Sequence, residues 1–295
     1  MYDQVYFLSP AKLNLYLKVL GKRDDGYHDL ISLVVPISLY DEMLIELSES
    51  VQLEVRLYVE GDKTVPSDES NLVHKAVIAY MNAISHKAQI KIQLIKRIPS
   101  AAGMGGGSSN AATALLALNK IFGAPLTWKD LYPLARRLGA DVPAFLLRTP
   151  CLLSGIGDII SIVEGVPSLW FLVVVPNVLV STQWAYAHLK LELTTPSIPY
   201  INKQVWTDLE GICGYLINDL EEVTLKAYPE VNAVKEMLKD TGAKGVLMSG
   251  SGPSVFGIYE EEPEDGLVEG MKAKGWHKTF KAKIIHETDW GVVKR

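Results

Sequence analysis

Cysteine is nearly absent: of 295 residues only Cys151 and Cys213 carry a thiol. Two distant thiols make no disulfide framework, and nothing clusters with them as metal ligands. They read as buried thiols in a reducing compartment, so a cytoplasmic protein is expected. Charge of one sign is also missing. Lys and Arg total 29 against 34 Asp and Glu, a net charge of -5 with no long run of either sign. A general nucleic-acid binder usually shows a basic face, so nucleic acid is not an expected partner. The first residues lack a basic start followed by an apolar run, which argues against a signal peptide, and they are not Arg-rich like a transit peptide. The densest apolar run, residues 169–175, is far shorter than a membrane span. No internal repeat or low-complexity tract is present. What is there is 48% hydrophobic residues, enough for a sizeable core in one large α/β-type domain or two ordinary ones.

Residues 11–19 alternate. Ala11, Leu13, Leu15, Leu17 and Val19 share one face, and Lys12, Asn14, Tyr16 and Lys18 the other. Period two predicts a half-buried strand, with Lys12 and Asn14 projecting from one face about 7 Å apart. Further strands are expected over 32–39, 43–47, 51–59, 88–98, 170–175, 245–248 and 255–259. Helices are expected over 71–84, from about 109 to 122, and over 127–138 and 229–239. Thr127 suits an N-cap, and Gly123, Gly139 and Gly242 suit C-terminal stops. A boundary near residues 165–167 would divide the chain into domains 1–165 and 166–295. The stretch 194–207 reads as an irregular surface excursion.

The strongest chemical signal is Gly103-Met104-Gly105-Gly106-Gly107-Ser108-Ser109, placed between a predicted strand and a predicted helix. A helix N-terminus has unpaired N–H groups and a positive dipole end, so it favours anions. Glycines let amides approach phosphate oxygens with no Cβ in the way. Ser108 and Ser109 can cap the helix, touch phosphate or hold magnesium. No lysine follows the glycines as a Walker loop requires, and neither glycine register completes a dinucleotide fingerprint. The plain alternative is a flexible loop with a serine cap. A second glycine loop, Ser249-Gly250-Ser251-Gly252-Pro253, reads as a hairpin turn or as a cover over the same phosphates.

Asp141 precedes Val142-Pro143 and suits a helix N-cap, or a base that accepts a proton from an attacking hydroxyl. Lys12 reads as a snorkelling surface lysine or as a charge-stabilising partner. Phosphoryl transfer needs positioning and charge neutralisation more than covalent chemistry, so an Asp, a Lys, magnesium and backbone amides suffice. Tyr27-His28 forms an aromatic and hydrogen-bonding pair suited to a flat ligand, or a packed ring beside a surface histidine. Tyr186 reads as core packing from its surroundings alone.

Taken in order, Ser9–Leu15, Gly26–Leu30, residues 99–112, Gly139–Pro143 and Gly245–Gly257 resemble the GHMP kinases over nearly the whole chain. The glycine loop belongs to the superfamily as a whole. The strings PAKLNL, GYH and GADVP resemble the branch acting on a cytidyl-bearing acceptor in the non-mevalonate isoprenoid pathway. The resemblance implies an α+β, two-domain GHMP kinase fold with the active site in the interdomain cleft. It implies that ATP, with Mg2+, phosphorylates the 2-hydroxyl of 4-diphosphocytidyl-2-C-methyl-D-erythritol. Asp141 and Lys12 match the catalytic pair. Pro99, Ser100, Ala101, Ala102, Gly103, Met104, Gly105, Gly106, Gly107, Ser108 and Ser109 match the ATP phosphate loop, with Ser109 a candidate for the metal. Asn14 matches a residue near the methylerythritol end, Tyr27 and His28 the cytosine pair, Tyr186 a second stacking aromatic, and Asn71 a position near the adenine. Ala102 stands where many members have glycine and Asn110 where many have aspartate; 189–207 aligns poorly. The implied partner is a small molecule bearing a cytidine diphosphate group, acting on a monomer or weak homodimer with no membrane attachment. The alternatives are a mevalonate or homoserine kinase, or a non-catalytic nucleotide-binding protein of the same fold.

Overall fold

A computed structural model describes residues 5–190 and 203–286. Most of the 194–207 excursion therefore lies outside the described residues. The alternating segment forms β1 (Val5–Lys22), which turns back as β2 (His28–Glu49) in an antiparallel hairpin. Two separate strands are expected over 32–47; the chain instead runs through Tyr40 and Asp41 without a break. These residues stay paired with Pro10 and Ser9, and a register shift between Pro10 and Ala11 absorbs the bend. β3 (Glu54–Glu60) lies parallel to β4 (Ala88–Ile95), which pairs with the distal half of β2. Between them runs α1 (Leu72–Ala83), whose first turn is capped by the Asn71 carboxamide accepting from the Val73 N–H at 2.9 Å.

The glycine run leads into α2 (Gly106–Ile121), which begins three residues earlier than expected. Its N-cap is Gly105 in a left-handed conformation, φ 68°, and no side chain caps the helix. The serine cap anticipated at Ser108 or Ser109 does not form, because both residues already lie inside the first turns. α3 (Trp128–Leu138) starts on the expected Thr127, in a reciprocal capping box with Asp130. A one-turn helix α4 (Val142–Leu146) follows, then the hairpin of β5 (Cys151–Ser154) and β6 (Ile159–Ile162) beside β2.

The chain then passes to a second sheet through β7 (Trp170–Val174) and α5 (Thr182–His188). After α6 (Leu209–Gly214), the short β8 (Ile217–Asn218) crosses back to lie parallel to β1. α7 (Glu221–Ala227) and α8 (Pro229–Lys239) precede β9 (Gly245–Met248) and β10 (Val255–Tyr259). α9 (Asp265–Ala273) and β11 (Thr279–Lys283) finish the described chain. The first sheet runs β3-β4-β2-β1-β8 with β5 and β6 off β2, and the second runs β11-β7-β10-β9.

Helices α1, α2 and α3 cover the distal part of the first sheet through Val77, Tyr80, Ile90, Ile92, Leu115 and Leu118. A second core joins the two sheets: Leu13, Leu15, Leu33 and Ile37 of the hairpin pack with Phe171, Phe256 and Trp206. Each such buried side chain contributes about 1.5–3 kcal/mol. This joint core explains why β1 is not half exposed as its pattern suggests. One face of β1 packs toward the second sheet, and the other, with Lys12 and Asn14, closes against the cleft; both residues are buried.

Candidate active site

The first sheet and its glycine loop, together with α5 and the loop between β9 and β10, line a cleft of about 980 Å³. Lys12, Asn14, Tyr27, His28, Asn71, Asp141 and Tyr186 line it, together with the loop residues Pro99, Ser100, Ala101, Ala102, Gly103, Gly105, Gly106, Gly107 and Ser108. Two predicted loop residues, Met104 and Ser109, do not. Met104 and Ala102 point their side chains into the core shared by the sheets, so Met104 anchors the loop, and Ala102 lines the cleft chiefly with its backbone. Ser109 is fully buried one turn into α2, and its hydroxyl has no hydrogen-bond partner among the described residues. Of the two adjacent serines, Ser108 is the one at the cleft.

The loop's conformation follows from three consecutive carbonyls, each held by another element. Ser254 Oγ donates to the Ala102 carbonyl at 2.6 Å, Ser249 Oγ to that of Gly103 at 3.1 Å, and the Lys12 N–H to that of Met104 at 3.0 Å. In a trans peptide the C=O and the following N–H point opposite ways. Pinning these carbonyls therefore turns the next amides away from those partners. The glycine loop between β9 and β10 is thus a clamp on the first loop. It also reaches the N-terminal strand, where the Asn14 N–H donates to Ser249 Oγ at 3.2 Å.

Lys12 lies where these loops meet. Its Nζ donates to Asn14 Oδ1 at 2.5 Å, and Asn14 Nδ2 donates to Ser32 Oγ at 2.8 Å. A Cβ on Gly105 would come within 3.2 Å of the Lys12 stem, and one on Gly250 within 3.5 Å of its ammonium. Burial lowers the Lys12 pKa from its ordinary value, and the Asp141 carboxylate opposes that shift. Asp141 occupies the N-cap position of α4, but its side chain makes no cap hydrogen bond. The carboxylate is therefore not consumed by the helix.

On the far wall, the His28 and Tyr186 rings stack with centroids 5.0 Å apart and planes at 28°. Tyr186 sits on α5, whose Thr182 hydroxyl lies 2.9 Å from Ser251 Oγ of the clamp loop. Burial, and secondarily Asp141, raises the Tyr186 phenol to about 12. Tyr27 is 59% exposed at the rim. Burial and the neighbouring Lys22 lower the His28 imidazole from its ordinary value.

Family models for the GHMP kinases N terminal domain and the GHMP kinases C terminal domain match residues 71–149 and 198–276. A 4-diphosphocytidyl-2-C-methyl-D-erythritol kinase of Citrifermentans bemidjiense is 42% identical over 92% of this chain and 96% of its own. The enzyme of that name from Syntrophus aciditrophicus is 44% identical over 90% and 94%. The chain belongs to the 4-diphosphocytidyl-2-C-methyl-D-erythritol kinase family of GHMP kinases. A crystal structure of a 4-(cytidine 5'-diphospho)-2C-methyl-D-erythritol kinase superposes with a TM-score of 0.79 at 34% identity, over 95% of this chain and 99% of that one. A homoserine kinase from Cytophaga hutchinsonii shares the fold, with a TM-score of 0.71 at 20% identity over 99% and 96%. As a GHMP kinase the protein is an ATP-dependent small-molecule kinase of α+β architecture. No local motif marks Lys96 at the cleft or Asp41 beneath it, although an aspartate amid the apolar alternation of β2 is a polar residue without a surface to face.

Proposed function

We propose that the protein transfers the γ-phosphoryl group of ATP to the 2-hydroxyl of 4-diphosphocytidyl-2-C-methyl-D-erythritol, giving the 2-phosphate and ADP. The observation that carries this reading is that one cleft holds the glycine loop, the Lys12–Asp141 pair and the stacked His28–Tyr186 wall. Asp141 accepts the proton of the attacking hydroxyl. Lys12 offsets the negative charge that develops in the transition state. The loop amides and the N-terminus of α2 hold the phosphates. Tyr27, His28 and Tyr186 take the cytosine, and Asn14 faces the methylerythritol end. The division into domains 1–165 and 166–295 fits a cleft walled by both, with β8 as a return crossing.

The residues present fit a magnesium ion carried mainly by the nucleotide. Magnesium prefers oxygen ligands and takes one or two from protein with phosphates and waters supplying the rest. Ser108 and Asp141 offer oxygens at the cleft, and no cluster of three or more His, Cys, Asp or Glu among the described residues makes a separate metal cage. When bound, the ion would neutralise phosphate charge. Among the described residues no helix is long and apolar enough to cross a membrane.

An ATP-consumption assay tests the assignment. Turnover is expected with 4-diphosphocytidyl-2-C-methyl-D-erythritol and not with mevalonate or homoserine, which carry no base for Tyr27 and His28. Turnover on either control without the cytidyl substrate would move the protein to another branch. The base-reading role also predicts a pH profile. A neutral imidazole can accept the exocyclic N–H of cytosine; an imidazolium cannot. His28 titrates below its ordinary value, so it is neutral at pH 7 and protonates only in more acid solution. The KM for the cytidyl substrate should stay flat from about pH 8 to about 6.5 and rise below that. A KM that does not rise at any pH at which the protein stays folded would remove His28 from the cytosine edge.

A further inference from the structure

Beneath the glycine loop three polar side chains are buried together. Asp41 on β2 is fully buried, and Lys96 and Asn110 are nearly so. Lys96 Nζ pairs with Asp41 Oδ2 and donates to Asn110 Oδ1 at 2.8 Å. Asn110 Nδ2 donates to Asp41 Oδ2 at 3.0 Å. The other oxygen, Asp41 Oδ1, accepts the backbone N–H groups of Arg97 at 2.7 Å and Ile98 at 2.9 Å.

These partners bracket the loop. Arg97 and Ile98 immediately precede Pro99, and Asn110 lies one turn into α2, which the loop feeds. One carboxylate therefore holds both ends of the segment that supplies the phosphate amides. Lys96 is itself at the cleft: a Cβ on Gly106, the first residue of α2, would come within 3.3 Å of its ammonium. A buried ion pair is weak evidence for stability, since apolar residues of similar volume often serve as well or better. Its place here is better explained by geometry. We propose that Asp41, Lys96 and Asn110 are positioning residues for ATP. They fix the separation of the two loop ends, so that the amides between them are already in place when phosphate arrives. Because residue 110 is Asn, the buried trio holds one carboxylate rather than two, and its formal charges cancel beside the phosphates. The proposal rests on the loop being the ATP site.

Asn110→Leu keeps the size and the helix while cutting both bonds to the ion pair. The KM for ATP should rise about tenfold, the scale of one or two lost hydrogen bonds, with kcat and the KM for the cytidyl substrate within about twofold. Calorimetric titration with a non-hydrolysable ATP analogue should show the same loss, and titration with cytidine diphosphate should show none. A purely structural role would lower Tm and leave the analogue's affinity unchanged, which would overturn the proposal. If Asn110→Leu does not fold, Asn110→Ala removes the same two bonds without adding a branched side chain and carries the same expectation. A wild-type protein that fails to bind the analogue would instead overturn the assignment of the loop to ATP.

Discussion

Asp141→Asn should lower kcat by about 10²–10⁴-fold, the range expected for loss of a positioned general base. The substitution is nearly isosteric, and it removes no cap hydrogen bond, because the Asp141 side chain makes none to α4. Stability should therefore change by no more than about 0.5 kcal/mol, as for changes away from packing features. Affinity for cytidine diphosphate should stay close to wild type, since the cytosine is assigned to His28 and the tyrosines on the far wall. The variant also changes the setting of Lys12. In the wild type, burial lowers the Lys12 pKa and Asp141 raises it in opposition. With a neutral side chain at position 141 only the burial effect remains, so the Lys12 ammonium loses its proton at a lower pH than in the wild type. Raising the pH should then not rescue the variant and should reduce its residual rate further. Single-turnover rates across pH, with Tm and cytidine diphosphate affinity measured alongside, check each step. An Asp141→Asn enzyme turning over near the wild-type rate would end the assignment of Asp141 as base.

Local pattern made much of this molecule legible. The spans of α8, β9 and β10 lie where periodicity and stops place them, because each is a short element with a clear face and a clear end. The same holds for α3, where Thr127 marks the start and Gly139 the stop. What escaped was set by contacts distant in sequence. Period two in β1 predicts one dry face and one wet one, yet Lys12 and Asn14 are buried because the second glycine loop, more than two hundred residues away, closes over them. Pattern alone starts α2 at the serines, since serine is the better cap, but Gly105 takes the left-handed turn under Phe145 and the helix begins at Gly106. The Asp41–Lys96–Asn110 trio joins three elements, and no single-segment pattern brings them together. At the site, composition and motif spacing yield the glycine loop, Lys12 and Asp141 with bland alternatives for each. Those alternatives lose support only through geometry: Lys12 does not snorkel at a surface, and Asp141 does not cap. The tyrosine at 186 is readable only by resemblance, because α5 meets His28 through the fold and not through the chain.

Gly103→Ala should abolish most activity, although it adds a single methyl. The sequence argument for this glycine is close approach of phosphate. The structure supplies a different and more severe reason. Gly103 has φ +73°, a left-handed conformation that costs an L-residue roughly 1–2 kcal/mol. Its new Cβ would lie 2.2 Å from the Ser249 carbonyl oxygen and 3.1 Å from that of Gly252. Both are backbone atoms, so no rotamer change relieves the clash. Nor can Ser249 yield easily: its N–H donates to the Ser254 carbonyl at 2.9 Å, and its own carbonyl accepts from the Gly252 N–H at 3.0 Å. One loop must move off the other. Either movement breaks the serine contacts to the Ala102 and Gly103 carbonyls and so releases the amides they orient. A displacement of about 1 Å at such a site can cost about 100-fold in rate, so kcat/KM should fall by at least about that factor, with the KM for ATP rising. Gly107 offers the contrast within the same motif. A Cβ there meets only the Leu72 side chain, at 3.9 Å, and the residue already lies in helix. Gly107→Ala should therefore keep or slightly raise Tm, since Ala is favoured over Gly in a helix by up to about 1 kcal/mol, whereas Gly103→Ala should lower it. Equal Tm values for the two variants, with ATP affinity intact in Gly103→Ala, would mean that the second glycine loop does not hold the first in solution.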